Sequence, residues 1–133
     1  MVQSRAVPAG GDLVSRLAAA ARVAVRYEQA YDIIDELART PERYPELFSR
    51  LSRVITKTLS DVERKLGESS GNESEILDKA RKRLLRWGRL LEEFLRALDS
   101  MDERERDATL RKFAALALAP DAFTVRVEKI LKK

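Results

Sequence analysis

Apolar residues recur along the first third of the chain at gaps that alternate between four and three residues. The series begins directly after Asp12, a residue type that commonly caps the start of a helix. Such spacing is typical of a helix packed lengthwise against another helix. It predicts a first helix over about residues 12–39, preceded by a polar arm over residues 1–11 that contains Pro8 and two glycines. The apolar series consists of Leu13, Leu17, Ala20, Ala24, Tyr27, Tyr31, Ile34 and Ala38.

The remaining chain has the same helical period and is divided by residues that interrupt helices. Pro41 and Pro45 end the first pattern, the Gly- and Ser-rich segment 67–74 separates the next two, and Pro120 ends the fourth. The last segment also alternates like a strand, but no other segment offers a strand partner, which favours a short helix. We therefore predict an all-α protein: a single helical domain over residues 12–133, built as a four- to five-helix bundle with an extended N-terminal arm. The later helices are predicted over about 45–66, 73–99, 101–119 and 121–132.

The composition excludes several kinds of chemistry. The chain of 133 residues has no Cys and no His, so it has no disulfide, no thiolate nucleophile and neither the commonest general base nor the commonest metal ligand. No phosphate-binding loop or serine-hydrolase motif occurs, and the paired carboxylates fit helix capping better than catalysis. No apolar run is long enough to span a membrane, and the first residues do not resemble a signal peptide. We predict a protein that is not an enzyme and uses no metal or cofactor.

Residue types that degrade at high temperature are scarce, since the chain has one Asn, two Gln and two Met. This pattern favours a thermophilic source. A genome rich in G and C also favours arginine, so part of the bias has that alternative explanation.

Basic residues form stripes on the helix faces opposite the predicted core. The net charge is only +4 at pH 7, so the arrangement matters more than the total. A helix turns about 100° per residue, which places four basic residues on one face of the second helix and four on one face of the third. A looser basic set lies on the first helix. The three sets are Arg50, Arg53, Lys57 and Arg64; Lys79, Lys82, Arg86 and Arg89; and Arg16, Arg22 and Arg26.

These stripes have two interpretations. Most charged helix faces are simply solvated. However, acidic residues crowd the end of the first helix instead of alternating with the stripes, and arginine matches phosphate geometry with two hydrogen bonds. We therefore predict nucleic-acid binding through backbone phosphates, without sequence readout because the stripes contain no Asn or Gln. Spacing places Trp87 in the core, while Gly88 either permits close approach of another helix or a phosphate chain, or is merely tolerated.

No motif identifies a family, but the polar arm, the long first helix and the two stripes (Arg50, Arg53, Lys57; Lys79, Lys82, Arg86, Arg89) have a counterpart in size and layout. In these features the chain resembles the major capsid proteins of filamentous and rod-shaped archaeal viruses. The resemblance implies a structural protein that packs around double-stranded DNA in the A form as the repeated subunit of a helical virion. It also implies self-assembly or assembly with a paralogous capsid protein, and an optional lipid envelope.

Two alternatives remain. The chain is also similar in size, helicity and charge to the small helical subunits of CRISPR effector complexes, which line a nucleic-acid filament, although their short motifs are not evident. The second alternative is a helical protein-interaction module that binds no nucleic acid. The capsid interpretation implies a location in the virion and the alternatives a cytoplasmic one. The stripes do not distinguish DNA from RNA.

Overall fold

A computed structural model describes residues 9–133, with side-chain positions from Leu13 onward. The described chain is all-α and contains no strand. The predicted fold class is thus confirmed, although the described part has seven α-helices and a 3₁₀ turn at Pro41–Arg43 where four or five helices are predicted. The predicted arm lies largely outside the described residues, and its last three residues already belong to the first helix. The helices are α1 Ala9–Ala24, α2 Glu28–Arg39, α3 Tyr44–Leu66, α4 Gly71–Leu85, α5 Trp87–Asp99, α6 Glu103–Leu118 and α7 Ala122–Leu131.

Helix α1 forms the centre of the bundle. It packs against each of α3, α4, α5, α6 and α7, so apolar side chains on nearly its whole circumference become buried. This explains why its sequence is rich in alanine, whose small side chain lets neighbouring helices approach closely. A helix that is apolar on most sides is expected to lie inside a bundle. Its buried residues are Leu13, Val14, Leu17, Ala18, Ala20, Ala21, Val23 and Ala24.

The predicted continuous helix over residues 12–39 is wrong, because the chain breaks between α1 and α2. Tyr27 is extended, with φ −87° and ψ 130°, and the turn is closed by the Tyr27 N–H donating to the Ala24 carbonyl at 3.0 Å. The apolar spacing continues in phase through this break, so the spacing alone does not reveal it. The break lets α2 pack against α3 and α6, and it leaves Tyr31, predicted on the apolar face, 48% exposed.

The predicted helix over residues 73–99 is also divided, at Arg86. The Arg86 N–H donates to the Arg83 carbonyl at 3.2 Å, a tightened turn that ends α4 before α5 begins. Arg86 keeps helical dihedral angles, with φ −81° and ψ −14°, and the Trp87 indole N–H of the next residue donates to the Ser52 hydroxyl of α3 at 2.9 Å. Trp87 is buried, as predicted, and joins Phe48, Phe94 and Phe113 in an aromatic cluster. Ring centroids in this cluster lie 5.4–6.5 Å apart, and such pairs each contribute about 0.5–1.5 kcal/mol beyond their burial.

The last two helices are fixed by aspartate caps. Asp102 accepts a hydrogen bond from the Glu105 backbone N–H at 2.8 Å, and Asp121 accepts one from the Thr124 N–H at 2.7 Å. Each cap satisfies a backbone donor that has no partner within its own helix. The C-terminal segment is therefore a helix, in agreement with the choice of helix over strand.

Candidate nucleic-acid interface

The basic stripe of α3 lies beside α2 and forms one side of a shallow groove. Three predicted residues, Arg50, Arg53 and Lys57, are exposed and line a cavity of about 340 Å³. Gln29 and Ile33 of α2 form the opposite wall. Because α2 packs against this flank of α3, the break between α1 and α2 is what creates the groove.

The second basic region surrounds the junction of α4 and α5. One cavity of about 430 Å³ is lined by Arg16 and Ala19 from α1 together with Arg83, Arg86, Arg89 and Leu90. A neighbouring cavity of about 320 Å³ shares Arg86 and Arg89 and adds Lys82 and the 53% exposed Leu85. Arg83, Arg86 and Arg89 recur at helical spacing, and Arg16 of α1 lies beside them, so basic residues of three helices meet at one place. Lys79 is exposed nearer the N-terminal end of α4 than these residues, and it lines neither cavity.

The stripes carry more acidic partners than the sequence suggests. Lys82 Nζ lies 3.1 Å from Asp78, Arg64 Nη1 lies 3.3 Å from Asp61, and Arg50 Nη1 lies 4.0 Å from Glu36. The basic member of each pair is exposed, whereas Asp61 and Glu36 are partly buried, and ion pairs near the surface contribute little to stability. Within the part of the chain that the structure describes, no acidic group lies within 4 Å of the basic groups of five stripe residues, namely Arg53, Lys57, Lys79, Arg86 and Arg89.

Two of the predicted residues of α1 and its following turn have internal partners. Arg22 donates to the Leu116 carbonyl at 3.0 Å from Nε and at 2.6 Å from Nη2, and its Nη1 lies 2.8 Å from Asp121. Arg26 contacts Asp61 at 3.2 Å and lies over the Tyr27 ring at 4.0 Å. Burial lowers the pKa of Arg26 below its ordinary value, although Asp61 and Glu128 act in the opposite direction. Only 16% of either side chain is exposed, so we leave both out of the proposed interface.

Arg83 is a basic residue that the stripe pattern misses. It lies on the flank of α4, where its guanidinium covers the Phe123 ring of α7 at 4.2 Å and also lines the larger cavity. Helical spacing places it off the stripe, and only the position of α1 and α7 beside α4 makes it part of the site. Its place in the run of basic residues from Lys79 to Arg89 was the sole signal in the sequence.

The hydrogen bond between Trp87 and Ser52 places the two basic regions at the same height along the bundle. Arg53 follows Ser52 on α3, and Arg86 precedes Trp87 at the α4–α5 junction, so both stripes reach this level of the bundle. The two cavities nevertheless lie on different flanks, since one is walled by α2 and the other by α1.

Among the described residues, no group of three or more acidic side chains is placed to hold a metal ion. No helix in that range is both long and apolar enough to cross a membrane.

A curated protein of Thermoproteus tenax, described as CRISPR system associated protein Csa5, is 48% identical to this chain over 121 residues. The match covers 91% of this chain and 92% of the relative. The chain belongs to the Csa5 family of CRISPR-associated proteins. No protein-family model matches the sequence, and no solved structure matches it.

Membership of the Csa5 family overturns the resemblance to viral capsid proteins. The expected virion location, the paralogous capsid partner and the lipid envelope rested on that resemblance and are withdrawn with it. The preference for double-stranded DNA also came from the capsid comparison and has no other basis. The resemblance failed because size, helicity and a basic surface are shared by many proteins that differ in function. What the family supports is the first alternative, a protein associated with a CRISPR system.

Proposed function

We propose that this protein is a non-enzymatic helical subunit of a CRISPR effector complex that contacts nucleic acid through backbone phosphates. The observation that carries the proposal is its relation to the Csa5 protein across nine tenths of both chains. The two exposed basic regions supply the contact, because phosphate groups are bound by Arg and Lys without regard to sequence. The predicted contacts are Arg50, Arg53, Lys57, Arg64, Lys79, Lys82, Arg86 and Arg89, with Arg16 beside them.

Association with the complex is tested by purifying the tagged protein from its native cells at moderate salt. We expect other CRISPR-associated proteins and small CRISPR RNA to copurify, as identified by mass spectrometry and RNA sequencing. Recovery of the protein alone at several salt concentrations would contradict the proposed assembly.

A protein-interaction module without nucleic acid is the competing function, and the ion pairs of Lys82, Arg64 and Arg50 with their own acidic neighbours favour it. A salt titration separates the two. Binding through phosphates weakens steeply with salt, by roughly a factor of 10 or more between about 50 and 200 mM for several contacts. Fluorescence anisotropy with a labelled oligonucleotide measures this slope. Affinity that hardly changes with salt favours the interaction module.

A further inference from the structure

The larger cavity at the α4–α5 junction differs from the rest of the basic surface in the number of arginines that converge on it. Arg16 extends from α1, while Arg83, Arg86 and Arg89 come from the end of α4, the junction and the start of α5. No acidic side chain is among its lining residues in the described part of the chain. Like charges held at one cavity repel each other, and an anion between them removes that repulsion.

Arg83 lines this cavity and also packs on α7. Its Nη1 is buried and has no hydrogen-bond acceptor among the described residues. The guanidinium is held in place by the Phe123 ring beneath it, at 4.2 Å. Arg26 Nε and Arg106 Nε also lack an acceptor among the described residues, so the convergence of arginines, and not this one atom, is the evidence for a ligand at the cavity.

We propose that this cavity is a discrete site for one phosphate or pyrophosphate group, bound by Arg83, Arg86 and Arg89 with Arg16 contributing from α1. Its volume of about 430 Å³ falls in the range of small-ligand sites. Guanidinium groups are the side chains best suited to it, because each offers two parallel donors to phosphate oxygens. The phosphate is either the phosphodiester of a bound strand, which rests on the proposed function, or a free phosphate anion.

The groove between α2 and α3 offers an internal contrast. Its Arg50 lies 4.0 Å from the carboxylate of Glu36, and uncharged residues form much of its wall. Charge there is partly balanced, so we expect an extended contact with a strand but no saturable site for a small anion.

Calorimetric titration of the full chain with pyrophosphate tests the site. We expect one equivalent to bind, and we expect the variant Arg86→Gln with Arg89→Gln to bind at least about tenfold more weakly, since charge-assisted hydrogen bonds are lost. Arg83→Met keeps the packing on Phe123 and should also weaken binding. The matched control is Arg104→Gln with Lys112→Gln, which removes two exposed charges of α6 and should leave affinity within about twofold. Circular dichroism and urea unfolding verify that each variant is folded.

Competition identifies the source of the phosphate. Displacement of a labelled oligonucleotide by pyrophosphate indicates that the strand's phosphodiester occupies the cavity, whereas simultaneous binding of both indicates a free anion. Pyrophosphate that fails to bind, or that binds the cavity variant as well as the control, overturns the site even if every variant retains the oligonucleotide. Conversely, pyrophosphate binding by a wild-type protein that binds no oligonucleotide supports the site and overturns the nucleic-acid function.

Discussion

Two groups of arginines in this protein have the same side chain but opposite surroundings. Arg22 and Arg26 are 16% exposed, and their guanidinium groups contact Asp121 and Asp61 within the bundle. Arg86 and Arg89 are exposed at the α4–α5 junction, where other basic groups are their neighbours. The first group links helices of the bundle, whereas the second adds repulsion that a bound anion relieves.

The comparison teaches that an arginine-rich sequence does not by itself locate a binding surface. What lies opposite each guanidinium decides whether the residue stabilises the fold or remains available to a ligand. In this chain Arg22 and Arg26 follow the same loose basic pattern as Arg16, yet they become structural because α6, α7 and α3 supply acceptors for them.

Reversing the exposed pair is the change with the largest expected effect. The double substitution Arg86→Glu and Arg89→Glu replaces attraction to phosphate by repulsion, and we expect nucleic-acid affinity to fall on the order of 100-fold at about 0.1 M salt. Helical circular dichroism should remain unchanged because neither side chain is buried. Fluorescence anisotropy measures the affinity.

Net charge is controlled by Arg104→Glu with Lys112→Glu on α6, which changes the total charge by the same amount. We expect this variant to lose only a few-fold in affinity through long-range electrostatics. An equal loss in both variants would indicate that the junction is no more of a binding surface than α6.

Much of the fold is predictable from the spacing of apolar residues, and the two helix breaks that the prediction missed have one feature in common. The bounds of α3 agree with the prediction to within one residue, because Pro41 precedes it, Pro45 lies in its first turn and Gly67 follows it. The two missed breaks, after α1 and at Arg86, lie next to residues whose side chains make tertiary hydrogen bonds, namely Arg22, Arg26 and Trp87. Such bonds join residues far apart in sequence, so a helical period that continues in phase through the break conceals them.

Removing an internal arginine should lower stability instead of binding. Arg22→Met leaves the Leu116 carbonyl and the Asp121 carboxylate without this donor, and we expect the free energy of unfolding to fall by about 2–3 kcal/mol. Urea denaturation measures the change. Arg96→Met, which removes an arginine whose side chain is 71% exposed, should cost less than about 0.5 kcal/mol. Similar losses in the two variants would refute the distinction between the two arginine groups.

Acid should weaken the same internal network. Burial raises the pKa of Asp121, but hydrogen bonds from Thr124 and Arg22 outweigh it, so the pKa lies below its ordinary value of 3.8. A carboxylate with a lowered pKa stabilises the fold above that ordinary value, and its contribution is lost as the pH falls through the folded-state pKa. We expect unfolding free energy to decline from about pH 5 toward about pH 2, with a shallower decline in Asp121→Asn. Identical pH profiles would show that Asp121 does not contribute.

The candidate site is less predictable than the fold. Helical spacing correctly predicts that Arg53, Lys79, Arg86 and Arg89 are exposed, because exposure depends on which face of a single helix a residue occupies. It cannot reveal that Arg83 joins the cavity, since that depends on the positions of α1 and α7 beside α4. Nor can it separate a capsid protein from a CRISPR subunit, because both interpretations require only helices and a basic surface.

Gly88 allows the smallest change at the exposed junction. A Cβ placed there meets nothing within 4 Å, so Gly88→Ala adds a methyl group without a clash inside the protein. Alanine is the better helix former, and we expect unfolding free energy to rise by about 0.5–1 kcal/mol. Binding of pyrophosphate and of an oligonucleotide should remain within about twofold of wild type if only side chains contact the ligand. A loss of affinity in a stabilised variant would instead show that a phosphate approaches the backbone at Gly88, which would extend the site from the arginine side chains to the first turn of α5.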